Sequence, residues 1–154
     1  MRSYEAVTRI DASPADVWAL LVDVGSWRDW DSGVDRVEGR VALGETLTVY
    51  ATMIRSRPFH ATVTEIRPRE AMRWRGGLPL GVATIERTYS LDAQEDGGTV
   101  LTVREDHTGP LAGLLDRGAG NIERYAAAPP HGIDVAGLVR WARTGGAGVP
   151  RMMR

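Results

Sequence analysis

Three patterns in the 154-residue sequence predict an α+β domain. A short capped helix stands near the N-terminus, period-two apolar alternation recurs between about residues 33 and 108, and helical spacing returns after Gly109-Pro110. Period two with no helix between the strands predicts a meandering antiparallel sheet of about seven strands. One face of such a sheet needs cover, and the helical segments are the candidates to provide it. A curved sheet wrapped on helix encloses space of the kind in which small-molecule sites occur.

Residues 4–10 alternate Tyr, Ala, Thr and Ile against Glu, Val and Arg, as a half-buried first strand does. Ser13 and Asp16 then form a capping box, with Pro14 at the first helical position, where its missing donor costs nothing. Val17, Trp18, Leu20, Leu21 and Val24 make an apolar stripe on a helix too short to stand alone, so it has to dock. A second helical turn is expected over 25–31, carrying Trp27 and Trp30. Further strands are expected at about 33–39, 45–54, 58–67, 70–76, 82–92 and 99–108. Arg67-Pro68-Arg69-Glu70 and Glu95-Asp96-Gly97-Gly98 read as turns. Leu111, Leu114 and Leu115 resume helical spacing until Pro129-Pro130, which ends any helix because proline costs about 3 kcal/mol in a helix interior. A separate helical piece is expected over about 133–143.

Composition excludes several functions. Lys+Arg is 19 against Asp+Glu 20, so no net positive field exists to attract nucleic acid or anionic lipid. The chain has no cysteine, which removes disulfides, thiolate nucleophiles and sulfur-ligated metals. His60, His107 and His131 lack metal-ligand spacing, so neither a metal nor another cofactor is expected. No window reaches the roughly 18 apolar residues of a membrane span, which predicts a cytoplasmic protein without membrane insertion. The length suits one domain over residues 1–154.

Four segments, ASPADVWALLVDVGSWRDWD, FHATVTEIRP, MRWRGGLPLGVATIERTYSL and GGTVLTVREDHTGPL, carry a family resemblance. In their order and spacing the chain resembles the SRPBCC, or polyketide cyclase/dehydratase, superfamily, which includes START and birch-pollen-allergen-like helix-grip proteins. The resemblance covers about residues 3–116 and implies a hydrophobic cavity between the sheet and a long C-terminal helix. Residues 117–154, interrupted by glycines and by Pro129-Pro130, depart from that pattern, so a broken helical segment is expected over the cavity.

Centring the last hairpin near Asp96 sets Leu91 opposite Leu101, Tyr89 opposite Val103, Arg87 opposite Glu105 and Ile85 opposite His107. All then point to the apolar, concave face. Arg87 and Glu105 are costly there unless paired, and cross-strand Cβ atoms about 4.5–5.5 Å apart allow that pairing. The pair can be a structural salt bridge, a clamp for a polar ligand group, or acid/base machinery together with His107. Trp30, Met53, Phe59, Trp74 and Tyr89 are the bulky side chains expected to line or plug the cavity. Val103 and Leu111 complete the expected ligand contacts. Trp18 and Trp27 are assigned to stapling the short helices. The run Gly76-Gly77-Leu78-Pro79-Leu80-Gly81 lacks the lysine of a phosphate cradle and reads as a loop at the cavity mouth.

The leading functional reading is binding of a small, lipid-like or aromatic molecule. One alternative is a cyclase or dehydratase using Arg87, Glu105 and His107. Another is an interaction module that self-associates as a homodimer through residues 111–143.

Overall fold

The computed structural model describes residues 2–30, 34–51 and 58–114. Seven strands form one curved antiparallel sheet: β1 (Arg2–Ile10), β2 (Val34–Glu38), β3 (Thr46–Ala51), β4 (Phe59–Arg67), β5 (Ala71–Gly77), β6 (Thr84–Ala93) and β7 (Thr99–Thr108). Their order is β1-β7-β6-β5-β4-β3-β2. The strands from β2 to β7 therefore follow the chain as hairpins, while β1 pairs with β7. Because β1 and β2 lie on opposite edges, the connection between them has to travel from one edge of the sheet to the other.

That connection holds the helices. In α1 (Pro14–Val22) the Ser13 hydroxyl accepts from the Asp16 amide at 3.3 Å and lies 2.9 Å from the Asp16 carboxylate. The amide bond is the cap half of the expected box, while the carboxylate accepts from the serine hydroxyl. Val17, Leu20 and Leu21 are buried, and Trp18 and Val24 pack at the margin of the same core. A 3-10 turn over Val24–Ser26 leads into the single turn α2 (Trp27–Trp30). The core joins this helical layer to Leu47, Val49, Val63, Met72, Leu91 and Leu101 from five strands. The buried Thr99 hydroxyl donates to the Ala12 carbonyl at 2.7 Å, tying the start of β7 to the bend before α1.

Register follows the expected alternation except at two shifts. In β4 the pairing with β5 slips between Val63 and Glu65. Phe59, Ala61 and Val63 face inward on one side of that shift, and Ile66 packs on the core on the other. A bulge of this kind lets one strand keep its apolar face after an odd step and sharpens the local bend. A second shift separates Val34 from Arg36 in β2.

The solvent face carries paired charge. Arg73 reaches Glu65 at 3.4 Å and Glu86 at 3.8 Å, and Arg104 lies 3.1 Å from Asp106. The β5–β6 connection is a tight loop with a turn at Pro79–Gly81, closed by Leu78 N–H donating to the Ala83 carbonyl at 2.8 Å. Gly77 sits at φ +147°, where an added Cβ would come within 2.2 Å of the Ala83 oxygen, so only glycine fits there. After β7 a single 3-10 turn covers Ala112–Leu114. The expected break at Pro129-Pro130, the piece at 133–143 and Met53 lie outside the described residues. No helix among the described residues is long and apolar enough to cross a membrane.

Candidate functional site

The β6–β7 ladder pairs Ile85 with His107, Arg87 with Glu105, Tyr89 with Val103 and Leu91 with Leu101, as the hairpin arithmetic predicts. On the other side of β6, Arg87 is the partner of Trp74, and Trp74 is in turn the partner of Val63. One row across the sheet thus reads Glu105, Arg87, Trp74, Val63.

Within that row the charges close on each other. Arg87 Nε lies 2.7 Å and Nη2 2.5 Å from Glu105 Oε2, and Nη1 lies 3.3 Å from the Tyr89 hydroxyl. The second carboxylate oxygen, Oε1, is 2.6 Å from His107 Nε2. The side chains are 17% exposed for Arg87, 5% for Glu105 and 0% for His107, so the network is shielded from bulk water. Burial alone would raise the Glu105 carboxyl pKa. The charge of Arg87 and the hydrogen bonds from His107 and Arg87 overcome burial and hold it at about 2 instead of 4.5. Glu105 is therefore ionised and accepts only, which places the shared hydrogen of the 2.6 Å contact on His107 Nε2. Three residues that the sequence treats as two separate candidates form one network, with the carboxylate at its centre.

Aromatic side chains surround it. The Arg87 guanidinium carbon lies 5.2 Å from the Trp74 ring centroid, within cation–π range. Phe59 packs on Trp74 with centroids 6.0 Å apart. Tyr89 is buried and meets Trp27 at 6.1 Å. Trp27 is more than a staple for the short helices. Its Nε1 donates to the Leu21 carbonyl at 3.1 Å, which fixes the end of α1, while its ring packs on Tyr89. The signal available in the sequence was its position just after a short amphipathic helix, where an indole can cap a free carbonyl and still reach the sheet. Trp74 is 2% exposed, and its Nε1 is buried with no hydrogen-bond partner among the described residues.

Other candidates lie apart from this cluster. Val103 is partly buried beside Tyr89, whereas Leu111 is an exposed leucine in the turn after β7, where its amide donates to the Val82 carbonyl. Trp30 is placed on α2. A separate open cleft of about 810 Å³ is walled by Ser13 and Pro14, the Arg67–Glu70 turn and Ser90 to Ala93, and it contains none of the candidate site residues.

A family model described as polyketide cyclase / dehydrase and lipid transport matches residues 1–128. The chain belongs to this family. Solved structures share the fold at low sequence identity. The di-domain ARO/CYC BexL from the BE-7585A biosynthetic pathway matches at 16% identity and a TM-score of 0.68, over 91% of this chain and 48% of that one. The chain therefore spans about half the length of BexL. A START superfamily protein from Mycobacterium smegmatis matches at 14% identity and TM-score 0.66, over 91% of this chain and 98% of that one. Ara h 8.0201 matches at 16% identity and TM-score 0.61, covering 90% and 97%. No curated protein matches the sequence.

Proposed function

We propose that this domain binds a small, largely apolar molecule against the concave face, with the Arg87–Glu105–His107 network fixing its polar end. The observation that carries this reading is a buried ion network set among Trp74, Tyr89 and Phe59 on the inner face of the sheet. Burying charge on an apolar face is a weak way to stabilise a fold, because hydrophobic residues of similar volume usually do as well or better. Apolar area removed from water at about 25 cal/mol per Å² supplies affinity without any catalytic group. The family description, which names both lipid transport and polyketide chemistry, supports a ligand of this character.

Native mass spectrometry of the purified protein beside a denatured aliquot tests the proposal. A stoichiometric apolar small molecule released on denaturation is the expected result. Protein that arrives empty, and that neither binds nor is stabilised by lipid-like or polycyclic aromatic compounds, would overturn it.

One contact favours a second, enzymatic reading. The 2.6 Å bond between His107 Nε2 and Glu105 is the arrangement by which a carboxylate orients an imidazole for acid/base work in a cyclase or dehydratase. On that reading His107→Ala abolishes turnover of a poly-β-ketone substrate while ligand binding persists. Turnover that survives the substitution removes His107 from the chemistry.

A further inference from the structure

Resting on the binding reading above, we propose that Trp74 is a specificity-determining residue. Its indole N–H is the donor that selects ligands presenting an uncharged oxygen acceptor to the concave face.

Trp74 Nε1 is a buried donor without an acceptor among the described residues, and the side chain is 2% exposed, so bulk water does not supply one. Unpaired donors at such depth are uncommon in native folds and ask for an explanation. The ring's immediate surroundings do not answer the need. Its cross-strand partners are Val63, which is apolar, and Arg87, whose guanidinium is donor only. Phe59 covers it with another hydrocarbon ring. The Glu105 carboxylate, the strong acceptor of this row, is already taken on Oε2 by Arg87 and on Oε1 by His107. A phenylalanine would have served for packing alone without leaving an N–H unpaired. Nothing among the described residues accepts from the indole N–H, and the acceptor is assigned to the ligand.

The same network sets the charge of that acceptor. Arg87 is paired with Glu105 through two contacts to one oxygen, so an incoming anion would compete with Glu105 for its charge. A ligand carboxylate placed at Trp74 would add a second negative charge beside buried Glu105, without a cation of its own and at the cost of losing its hydration. A carbonyl oxygen needs one donor and no counter-ion, which is what Trp74 Nε1 provides. A site with a buried donor discriminates strongly against an analogue that lacks the matching acceptor, since the donor then stays unpaired.

Three compounds of one carbon skeleton test this: 1-tetralone, which carries the acceptor, tetralin, which lacks it, and tetralin-1-carboxylate, which carries a charge. The probe is the full chain labelled with 15N, whose five tryptophans give five indole N–H signals, assigned by triple-resonance spectroscopy. In the ligand-free protein the Trp74 Nε1 proton is expected at the upfield position of an unbonded indole, moving downfield with 1-tetralone but not with tetralin. 1-Tetralone is expected to bind about fivefold to tenfold tighter than tetralin, the ratio one buried hydrogen bond gives, with the carboxylate no tighter than tetralin. Trp74→Phe should bring the tetralone-to-tetralin ratio to about one; should that variant not fold, the indole shift in the unaltered protein decides by itself. A Trp74 signal already downfield without ligand, or unmoved while signals of Phe59 and Tyr89 shift, overturns the inference and leaves the binding reading standing. Tightest binding by the carboxylate also overturns it. If none of the three compounds moves any signal of the concave face, this inference is overturned, and the binding reading is decided separately by the native mass spectrometry above.

Discussion

Arg87 and Glu105 are Cα partners in the β6–β7 ladder, and the guanidinium closes on a single carboxylate oxygen, leaving the other oxygen to His107. A cross-strand pair next to an i, i+2 neighbour on the same face brings three polar side chains together without any of them leaving the sheet.

The first prediction concerns acid stability. The folded Glu105 pKa of about 2 lies below the ordinary 4.5, so the unfolded chain binds the extra proton between those values. The stabilisation is fully present above about pH 4.5 and is lost as pH falls towards 2. At about 1.4 kcal/mol per unit, it is on the order of 3 kcal/mol. Glu105→Gln should therefore lower stability at pH 7, with a gap to the unaltered protein that narrows from pH 4.5 downward. Asp106 on the solvent face is also pulled down, first by its hydrogen bond from Arg104, so the difference between the two proteins has to be read and not either curve alone. Parallel urea-denaturation curves at pH 3 and pH 7 with an unchanged gap would contradict the assignment.

Trp27 joins α1 to the sheet through its bond to the Leu21 carbonyl and its packing on Tyr89. Trp27→Ala is expected to cost about 3–5 kcal/mol by opening a core cavity. Trp27→Phe, which keeps a ring but orphans the carbonyl, should cost about 1–2 kcal/mol. Chemical denaturation separates the two, and a Trp27→Phe variant as stable as the unaltered protein would show that the hydrogen bond contributes nothing.

Leu80 stands at φ +60° with its side chain 98% exposed. A leucine in the left-handed region costs about 1–2 kcal/mol relative to ordinary backbone, and here no burial offsets it. Leu80→Asn should therefore raise stability by about 0.5–1 kcal/mol, measured as a higher denaturation midpoint. A fall would mean that Leu80 makes a stabilising contact in the intact protein.

Ser13→Ala removes the cap of α1, and about 1 kcal/mol of stability should go with it. Ser13→Asp, which can accept from the same amide, should recover most of that loss. No recovery would indicate that the serine acts by some route other than capping.

What was legible in the residues was whatever depends on near neighbours along the chain. The strand positions, the Ser13 cap and the Arg67–Glu70 turn come from alternation and local turn chemistry, which act over a few residues. The β6–β7 register was legible too, because a short connection around Asp96 leaves little freedom in which residues face each other. From that register the opposition of Arg87 and Glu105 followed. Two things were not legible. The shift between Val63 and Glu65 changes the facing of β4 with no glycine or proline to announce it. The burial of Trp27 against Tyr89 joins residues far apart in the chain through the docking angle of a helix.

The sequence by itself determined the order of elements, the antiparallel meander and the inward face that holds Arg87, Tyr89, Glu105 and His107, because side-chain direction in a strand has a strict period of two. Only the tertiary structure decided which polar atoms on that face are satisfied. Glu105 engages Arg87 with one oxygen and His107 with the other, while Trp74 Nε1 has no acceptor among the described residues. A hydrogen bond depends on distances of about 3 Å between atoms contributed by several strands, and no pattern read along one strand contains them.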